Sequence, residues 1–201
     1  MHLGFLSNAM EALEEATRNV IESAKVEKAG DTILRCAAIA AVAGVGSGWL
    51  PGAGSLVATG VWVATIWGMY VKINNDLGIT IKDNVLKSLA SALLTNIIAS
   101  AGALLLMLLA AAVLSFIPGI GTAGAIAIDG MLGYITVFAS GVLYIKILTK
   151  LFKAGNGFDL SESDAKELAS SIASESDVKG IIKEGRKAFD ADKKAGKFKK
   201  K

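Results

Sequence analysis

Three long stretches of this chain contain no charged side chain, and they restrict its fold more than any other feature. They cover residues 36–71, 88–128 and 130–145 of a 201-residue chain. A helix on the surface of a water-soluble protein shows a polar stripe every few residues, and these stretches show none. Because a membrane-spanning helix needs roughly 20 apolar residues, we predict an all-α integral membrane protein. A water-soluble bundle with a buried Ala/Gly-rich core stays open as the alternative.

Two similar Pro-Gly patterns interrupt the apolar blocks. Each has the order apolar-Pro-Gly-x-Gly-Ser/Thr, and these residue types end helices and allow tight reversals. A Tyr-x-Lys-Ile tetrad follows each turn, beginning at Tyr70 and at Tyr144. The turn residues are Pro51, Gly52, Gly54, Pro118, Gly119 and Gly121. The matched order predicts an internal duplication of a helix–turn–helix hairpin.

The duplication predicts about four membrane helices in a domain of residues 31–153, with hairpins at 31–74 and 84–153. The second hairpin is long enough to cross a bilayer twice. The first has fewer uncharged residues, so it either spans tightly or dips in without crossing. Lysines occur in the linker between the hairpins and beyond Lys146, whereas both turns are uncharged. The positive-inside tendency therefore places both termini in the cytoplasm and the turns toward the far side.

Polar segments flank this predicted membrane domain. Residues 1–30 predict an amphipathic helix, expected over about residues 8–28 with Asn8 as its cap. Residues 154–201 predict a polar helical tail, in which a repeated Ser-Glu-Ser-Asp at Ser161 and Ser174 indicates two capped helix starts. We expect its polybasic end to be disordered and to contact anionic lipid; a solvated, solubilising tail is an equally good interpretation. The lysines are Lys193, Lys194, Lys197, Lys199, Lys200 and Lys201.

Residue types needed for most enzyme active sites are scarce in this chain. His2 is its only histidine and Cys36 its only cysteine, which argues against a catalytic triad, a zinc site or an internal disulfide. The glycines from Gly44 to Gly48 lack the lysine and the preceding strand of a phosphate-binding loop. We therefore predict a protein that is not an enzyme, without cofactor, metal or nucleic-acid partner.

Asp129 is the one acid within the second apolar block. Counted from the turn, it lies near the bilayer midplane, where an acid costs roughly 2.5–3.5 kcal/mol. We predict that it is buried and protonated at a helix–helix or subunit contact; a proton or cation pathway is the alternative. Two rows of small residues at four-residue spacing, one in the first apolar block and one that contains Asp129, predict close helix packing or dimerisation. They are Ala40, Gly44, Gly48, Ala125, Gly133 and Gly141.

Three stretches carry a resemblance to a known family: the run Trp62 to Tyr70, the linker Asn75 to Ile79, and the turn Ile117 to Thr122. Together they resemble a YcjF-like, GTPase-associated bacterial domain family of unknown function, over roughly residues 33–152. The more distant EcsC-like proteins share a similar Pro-Gly turn. Members are often fused to, or encoded beside, dynamin-like or Era-like GTPases. The resemblance implies a module of the bacterial cytoplasmic membrane that works with such a partner, and it supplies no catalytic residues.

Two functions follow as hypotheses. The first is a non-enzymatic membrane scaffold that self-associates, partners a GTPase or shapes the membrane. The second is an oligomeric pore or channel that uses Asp129, or a hairpin that inserts from a soluble form to make a pore. A soluble carrier for an apolar ligand is a more distant third.

Overall fold

The computed structural model describes residues 3–47, 54–113, 121–155 and 157–198; within these, the side chains of 43–47, 54–61, 103–113 and 121–129 lie outside the description. The predicted all-α class is confirmed, since the described residues form helices and no strand. The helices are α1 Gly4–Thr17, α2 Ser23–Ser47, α3 Gly54–Leu77, α4 Asp83–Val113, α5 Gly121–Ala154, α6 Glu162–Glu175 and α7 Val178–Lys194.

Helix α5 is the central element of the bundle and contacts all six other helices. From Gly130 to Thr149 every side chain is buried except those of Met131 and Lys146, which are partly buried. A helix that is apolar all round must be covered all round. This explains why residues 130–145 have no polar stripe, because other helices occupy each of their faces.

Contacts along α5 give the directions of its neighbours. Ile33 of α2 lies against Gly141, and Ala40 lies against Gly133, so α2 and α5 are antiparallel. Trp62 of α3 also lies against Gly133, and the ring of Tyr70 stacks on that of Tyr144, so α3 and α5 are parallel. Helix α4 turns back from α3 through residues 78–82. The end where α2 and α4 finish and α3 and α5 begin is called the apolar end below, and the opposite end is called the base.

Two helical segments of the described residues are long and apolar enough to cross a membrane, Asp83–Gly102 and Gly130–Ala154. The protein itself buries 50% of an 18-residue window in the first and 89% of such a window in the second. The finer prediction of about four membrane helices therefore has two candidate segments among the described residues, and both lie in the second predicted hairpin.

The single N-terminal helix expected over residues 8–28 is wrong. Helix α1 ends at Thr17, α2 begins at Ser23, and Asn8 lies inside α1. The amides of Val20 and Ile21 turn back to the carbonyl of Thr17. The apolar stripe indicated continuity, but its two parts pack differently: α1 packs on α5 and α7, whereas α2 packs on α3 and α5.

In the tail, the capped start at Ser161 is confirmed. The amide of Asp164 donates to the Ser161 hydroxyl, and the Ser161 amide donates to the Asp164 carboxylate, at 3.1 and 3.0 Å. A second helix follows as predicted, but its cap is Asp177 and not Ser174: α6 continues to Glu175, and the Asp177 side chain accepts from the amide of Gly180 at 2.9 Å. A separate helix cannot begin inside a turn that α6 already occupies.

Candidate functional site

Many residues singled out from the sequence fall where the structure gives little or no description. Pro51, Gly52, Gly48, Pro118, Gly119 and Lys199 to Lys201 lie outside the described residues. Gly54 and Gly121 are the first residues of α3 and α5. Gly44 lies in α2, and Ala125 and Asp129 lie in α5, but their side chains are outside the description. The predicted burial and protonation of Asp129 stay predictions.

The other small residues, Ala40, Gly133 and Gly141, meet at the contact between α2 and α5. A Cβ atom added at Gly133 would lie 3.0 Å from the carbonyl oxygen of Ala40 and 2.9 Å from Nε1 of Trp62. One added at Gly141 would lie 2.7 Å from Cγ2 of Ile33. These distances are shorter than van der Waals contact, so both positions require glycine. The small residues thus serve a close contact within one chain.

The two tyrosines of the repeated tetrads lie against each other in the core. The rings of Tyr70 and Tyr144 stack with centroids 3.8 Å apart and planes 14° apart. The Tyr70 hydroxyl is 2.6 Å from the Ser140 hydroxyl, and the Tyr144 hydroxyl donates to Oδ1 of Asn74 at 2.6 Å. Each tyrosine therefore bonds a residue of the other's helix, which fixes the register of α3 on α5.

Two buried nitrogen atoms lack a hydrogen-bond partner within the described part of the chain, Nε1 of Trp62 and Nδ2 of Asn74. A buried donor without a partner costs about 1–3 kcal/mol. Asn74 already uses its carbonyl oxygen for Tyr144. Trp62 lies toward the apolar end, next to Gly133.

At the base, Asp76 joins α2 to α3. Its carboxylate lies 3.0 Å from Nζ of Lys28 and 3.1 Å from Nζ of Lys72, and its side chain is only 10% exposed. Burial alone would raise the pKa of Asp76, but hydrogen bonds from the two ammonium groups hold it below its usual value. Sequence reasoning did not single out Asp76, although an acid directly after an apolar block with a lysine four residues earlier is a usable signal.

Helix α7 lies antiparallel to α5 and carries the chain from the base back to the apolar end. Lys146 contacts Ser176, Gly185 lies against Phe138, and Asp192 accepts from the Tyr134 hydroxyl at 2.9 Å. In the middle of α7, the carboxylate of Glu184 accepts from the amides of Phe5 and Leu6 in the first turn of α1, at 2.8 and 3.0 Å. The C-terminal end of α7 is therefore placed beside the segment of α5 that follows Asp129.

The chain after α7 folds back on the bundle, so the disorder predicted for residues 193–198 is wrong. Gly196 has a positive φ of 74°, and the amides of Gly196 and Lys197 donate to the carbonyls of Lys193 and Asp192, which is a Schellman cap. The ring of Phe198 stacks on Phe189 at 5.1 Å. The signal in the sequence for this fold-back is Phe198, an aromatic residue among lysines, and the prediction of disorder did not take it into account.

A groove of about 690 Å³ runs between α4 and α6. Asn84 donates to Glu162 at 2.8 Å and Asn96 donates to Ser170 at 3.3 Å across it. Most of the residues that line it are serine, threonine or asparagine, which accounts for the polar face of α4. Among the residues searched, which are the described ones, no group of three or more His, Cys, Asp or Glu side chains could hold a metal ion.

The geometry thus defines a charged base, a closed core around α5, and an apolar end bordered by the basic end of α7.

Comparison with protein-family models, with curated proteins and with solved structures finds no match to this chain. The resemblance to the YcjF-like family therefore stays a prediction.

Proposed function

We propose that this protein is a non-enzymatic membrane scaffold that inserts the apolar ends of four helices into one face of a bilayer. The inserting parts are the apolar arms, by which we mean the parts of α2 to α5 at the apolar end, in α5 residues 121–129. Asp129 is the one charged residue in the arms. The observation that carries the proposal is the absence of charged side chains from residues 36–71 and 88–128. The closed core limits insertion to the arms, because lipid cannot reach residues 130–149 of α5 while six helices cover them.

The lengths of the arms suit one leaflet. Nine residues of α5 precede Gly130, which the bundle already encloses, so at most about 14 Å of this helix can enter lipid at 1.5 Å per residue. The hydrocarbon core of a bilayer is about 30 Å thick. In this proposal, four short arms enter the bilayer from its cytoplasmic face, in place of the about four complete membrane crossings that the sequence predicted.

The base and the outer helices suit water. Lys82 pairs with Asp159 at 2.7 Å, with both side chains more than half exposed. Helix α6 exposes Glu162, Asp164 and Glu167. Charged groups of this kind are not stable in hydrocarbon. The same surface is where a GTPase partner, implied by the resemblance, would dock.

Insertion into one leaflet expands that leaflet relative to the other, which favours curvature and suits a dynamin-like partner. Self-association belongs to the arms in this proposal, because Ala40, Gly133 and Gly141 are already used inside one chain. The proposal assigns contacts between copies to Gly44 and Ala125, since small residues permit close approach of helices in a bilayer.

The first experiment is membrane fractionation with an alkaline wash. The wild type is expected in the alkaline pellet. Leu104→Asp/Leu108→Asp, which places two acids in the α4 arm, is expected to release the protein, because each acid costs a few kcal/mol in hydrocarbon. Val20→Asp/Thr95→Asp adds the same charge at exposed bundle positions and should stay in the pellet. Release of the wild type would mean a water-soluble bundle and would end the proposal.

A second experiment separates short arms from complete crossings. In a Cys36→Ser background, Ser115→Cys places the only thiol in the second Pro-Gly region. With a membrane-impermeant maleimide, short arms predict no labelling from outside the cell, whereas complete crossings predict labelling. Ser163→Cys, exposed on α6, is the control and should label only from the cytoplasmic side.

Vesicle assays distinguish the scaffold from the pore. The scaffold predicts deformed vesicles without leakage and co-purification of a GTPase. Ion flux that Asp129→Asn abolishes would favour the pore instead.

A further inference from the structure

We propose that the end of α7 and the turn after it form a binding surface for the headgroups of anionic phospholipids. We call this surface the basic collar and define it as Lys193, Lys194 and Lys197. This inference rests on the proposed function, because the collar meets a bilayer only if the apolar arms enter it. It goes further by assigning the lipid class and the residues that select it.

The position of the collar is set by the packing of α7 on α5. Asp192, directly before Lys193, bonds Tyr134 of α5. Tyr134 lies four residues after Gly130, which is about 6 Å along the helix axis. The bundle encloses α5 from Gly130 to Thr149, so lipid can reach this helix only before Gly130. The lysines therefore stand at the level where hydrocarbon would give way to headgroups.

The charge distribution supports an anionic ligand. Residues 183–201 carry nine basic and three acidic side chains, a balance of +6, whereas the remaining chain has a balance of −3. All three collar lysines are exposed. Only Lys197 has a carboxylate partner among the described residues, Asp192 at 2.7 Å. Each lysine near an anionic membrane surface contributes about 1 kcal/mol to binding.

The collar is built onto the bundle. Asp192 is only 15% exposed and holds the Tyr134 hydroxyl and the Lys197 ammonium together. Phe198 packs on Phe189 and lies edge-on to Tyr134, with centroids 6.1 Å apart. A tail that only improved solubility would need neither the Schellman cap nor a packed aromatic ring. Anchoring holds the lysines at one depth, which a loose tail cannot do.

The test is flotation of the full chain with vesicles of phosphatidylcholine alone and with vesicles that also contain phosphatidylglycerol. Lys193→Gln/Lys194→Gln/Lys197→Gln removes the collar. Lys153→Gln/Lys166→Gln/Lys179→Gln is the matched control, because it removes the same charge from exposed lysines away from the apolar end. Phe198→Ala keeps every charge and removes the anchor. Circular dichroism confirms that each variant keeps its helices.

The collar variant is expected to lose the preference for anionic vesicles by about fivefold per lysine, while its binding to neutral vesicles is unchanged. The control variant should keep the preference, and Phe198→Ala should lose part of it. Equal losses of the preference for anionic vesicles in both lysine variants, or an unchanged preference in Phe198→Ala, would contradict the collar. Neither result would contradict insertion of the apolar arms. Absence of binding to both kinds of vesicle would instead overturn the proposed function, and the collar with it.

Discussion

The two candidate membrane segments, one in α4 and one in α5, pass the same test of length and hydropathy and yet have different surroundings. Protein buries 89% of an 18-residue window of the α5 segment, whereas it buries 50% of such a window of the α4 segment. Along α4, the exposed positions are largely polar, as at Asn84, Lys87 and Thr95. On α5, no described position from Gly130 onward is exposed until Lys150. Hydropathy therefore reports that a helix avoids water, and only its neighbours decide whether lipid or protein takes the place of water.

The largest expected effect comes from filling the contact at Gly141. Gly141→Leu should lower the free energy of unfolding by about 3 kcal/mol, since overpacking a closed core forces strain and a Cβ there already collides with Ile33. If lipid surrounded this part of α5, the larger side chain would be accommodated. Denaturant unfolding in detergent solution measures the difference.

Gly102→Leu on α4 is the matched control for that change. Among the atoms that the structure describes, none lies within 4 Å of a Cβ added at Gly102. We expect its free energy of unfolding to stay within about 1 kcal/mol of the wild type. An equal loss of unfolding free energy in Gly102→Leu and Gly141→Leu would contradict the difference in packing between α4 and α5.

The next effect concerns the tyrosine pair that joins α3 to α5. Tyr144→Phe should cost about 1–2 kcal/mol, because it leaves both polar ends of Asn74 buried without a partner; Nδ2 has none in the described structure. Tyr70→Phe should cost less, since the Ser140 hydroxyl can bond a carbonyl of its own helix. Thermal unfolding of the two variants gives the ranking, and the reverse order would contradict it.

A smaller effect is expected at the base, where Asp76 joins α2 and α3. Asp76→Asn should cost about 1 kcal/mol at neutral pH, because it exchanges two charge-assisted hydrogen bonds for weaker ones. Since the native pKa of Asp76 lies below its usual 3.8, the contribution is complete above about pH 4 and is lost as the pH falls through the native pKa. Unfolding measured from pH 7 downward should show the two proteins converging in acid. A constant difference would exclude the ionised carboxylate as the cause.

The smallest effect has the opposite sign. Gly68 of α3 is exposed, and an added Cβ there meets no atom of the described residues within 4 Å. Gly68→Ala should raise the free energy of unfolding by about 0.5–1 kcal/mol, because alanine loses less backbone entropy in a helix. Destabilisation would mean that another surface packs on this face of α3.

Sequence reasoning predicted the helices and some of their contacts, and it failed where packing decides. The uncharged stretches indicated helices α2 to α5, and Ser161 marked the start of α6, because capping is a local interaction. The break after Thr17 and the fold-back of Phe198 depend on which surfaces lie nearby. Local patterns do not contain that information.

The sequence by itself determined that this is an all-helical chain with uncharged helices and a basic C-terminal end, since residue order alone sets periodicity, capping and charge. Only the tertiary structure decided that residues 130–149 of α5 face protein, that Tyr70 stacks on Tyr144, and that the basic collar stands beside Tyr134. The physical reason is that the same lack of charge suits hydrocarbon and a protein core equally well. Long-range packing alone distinguishes them.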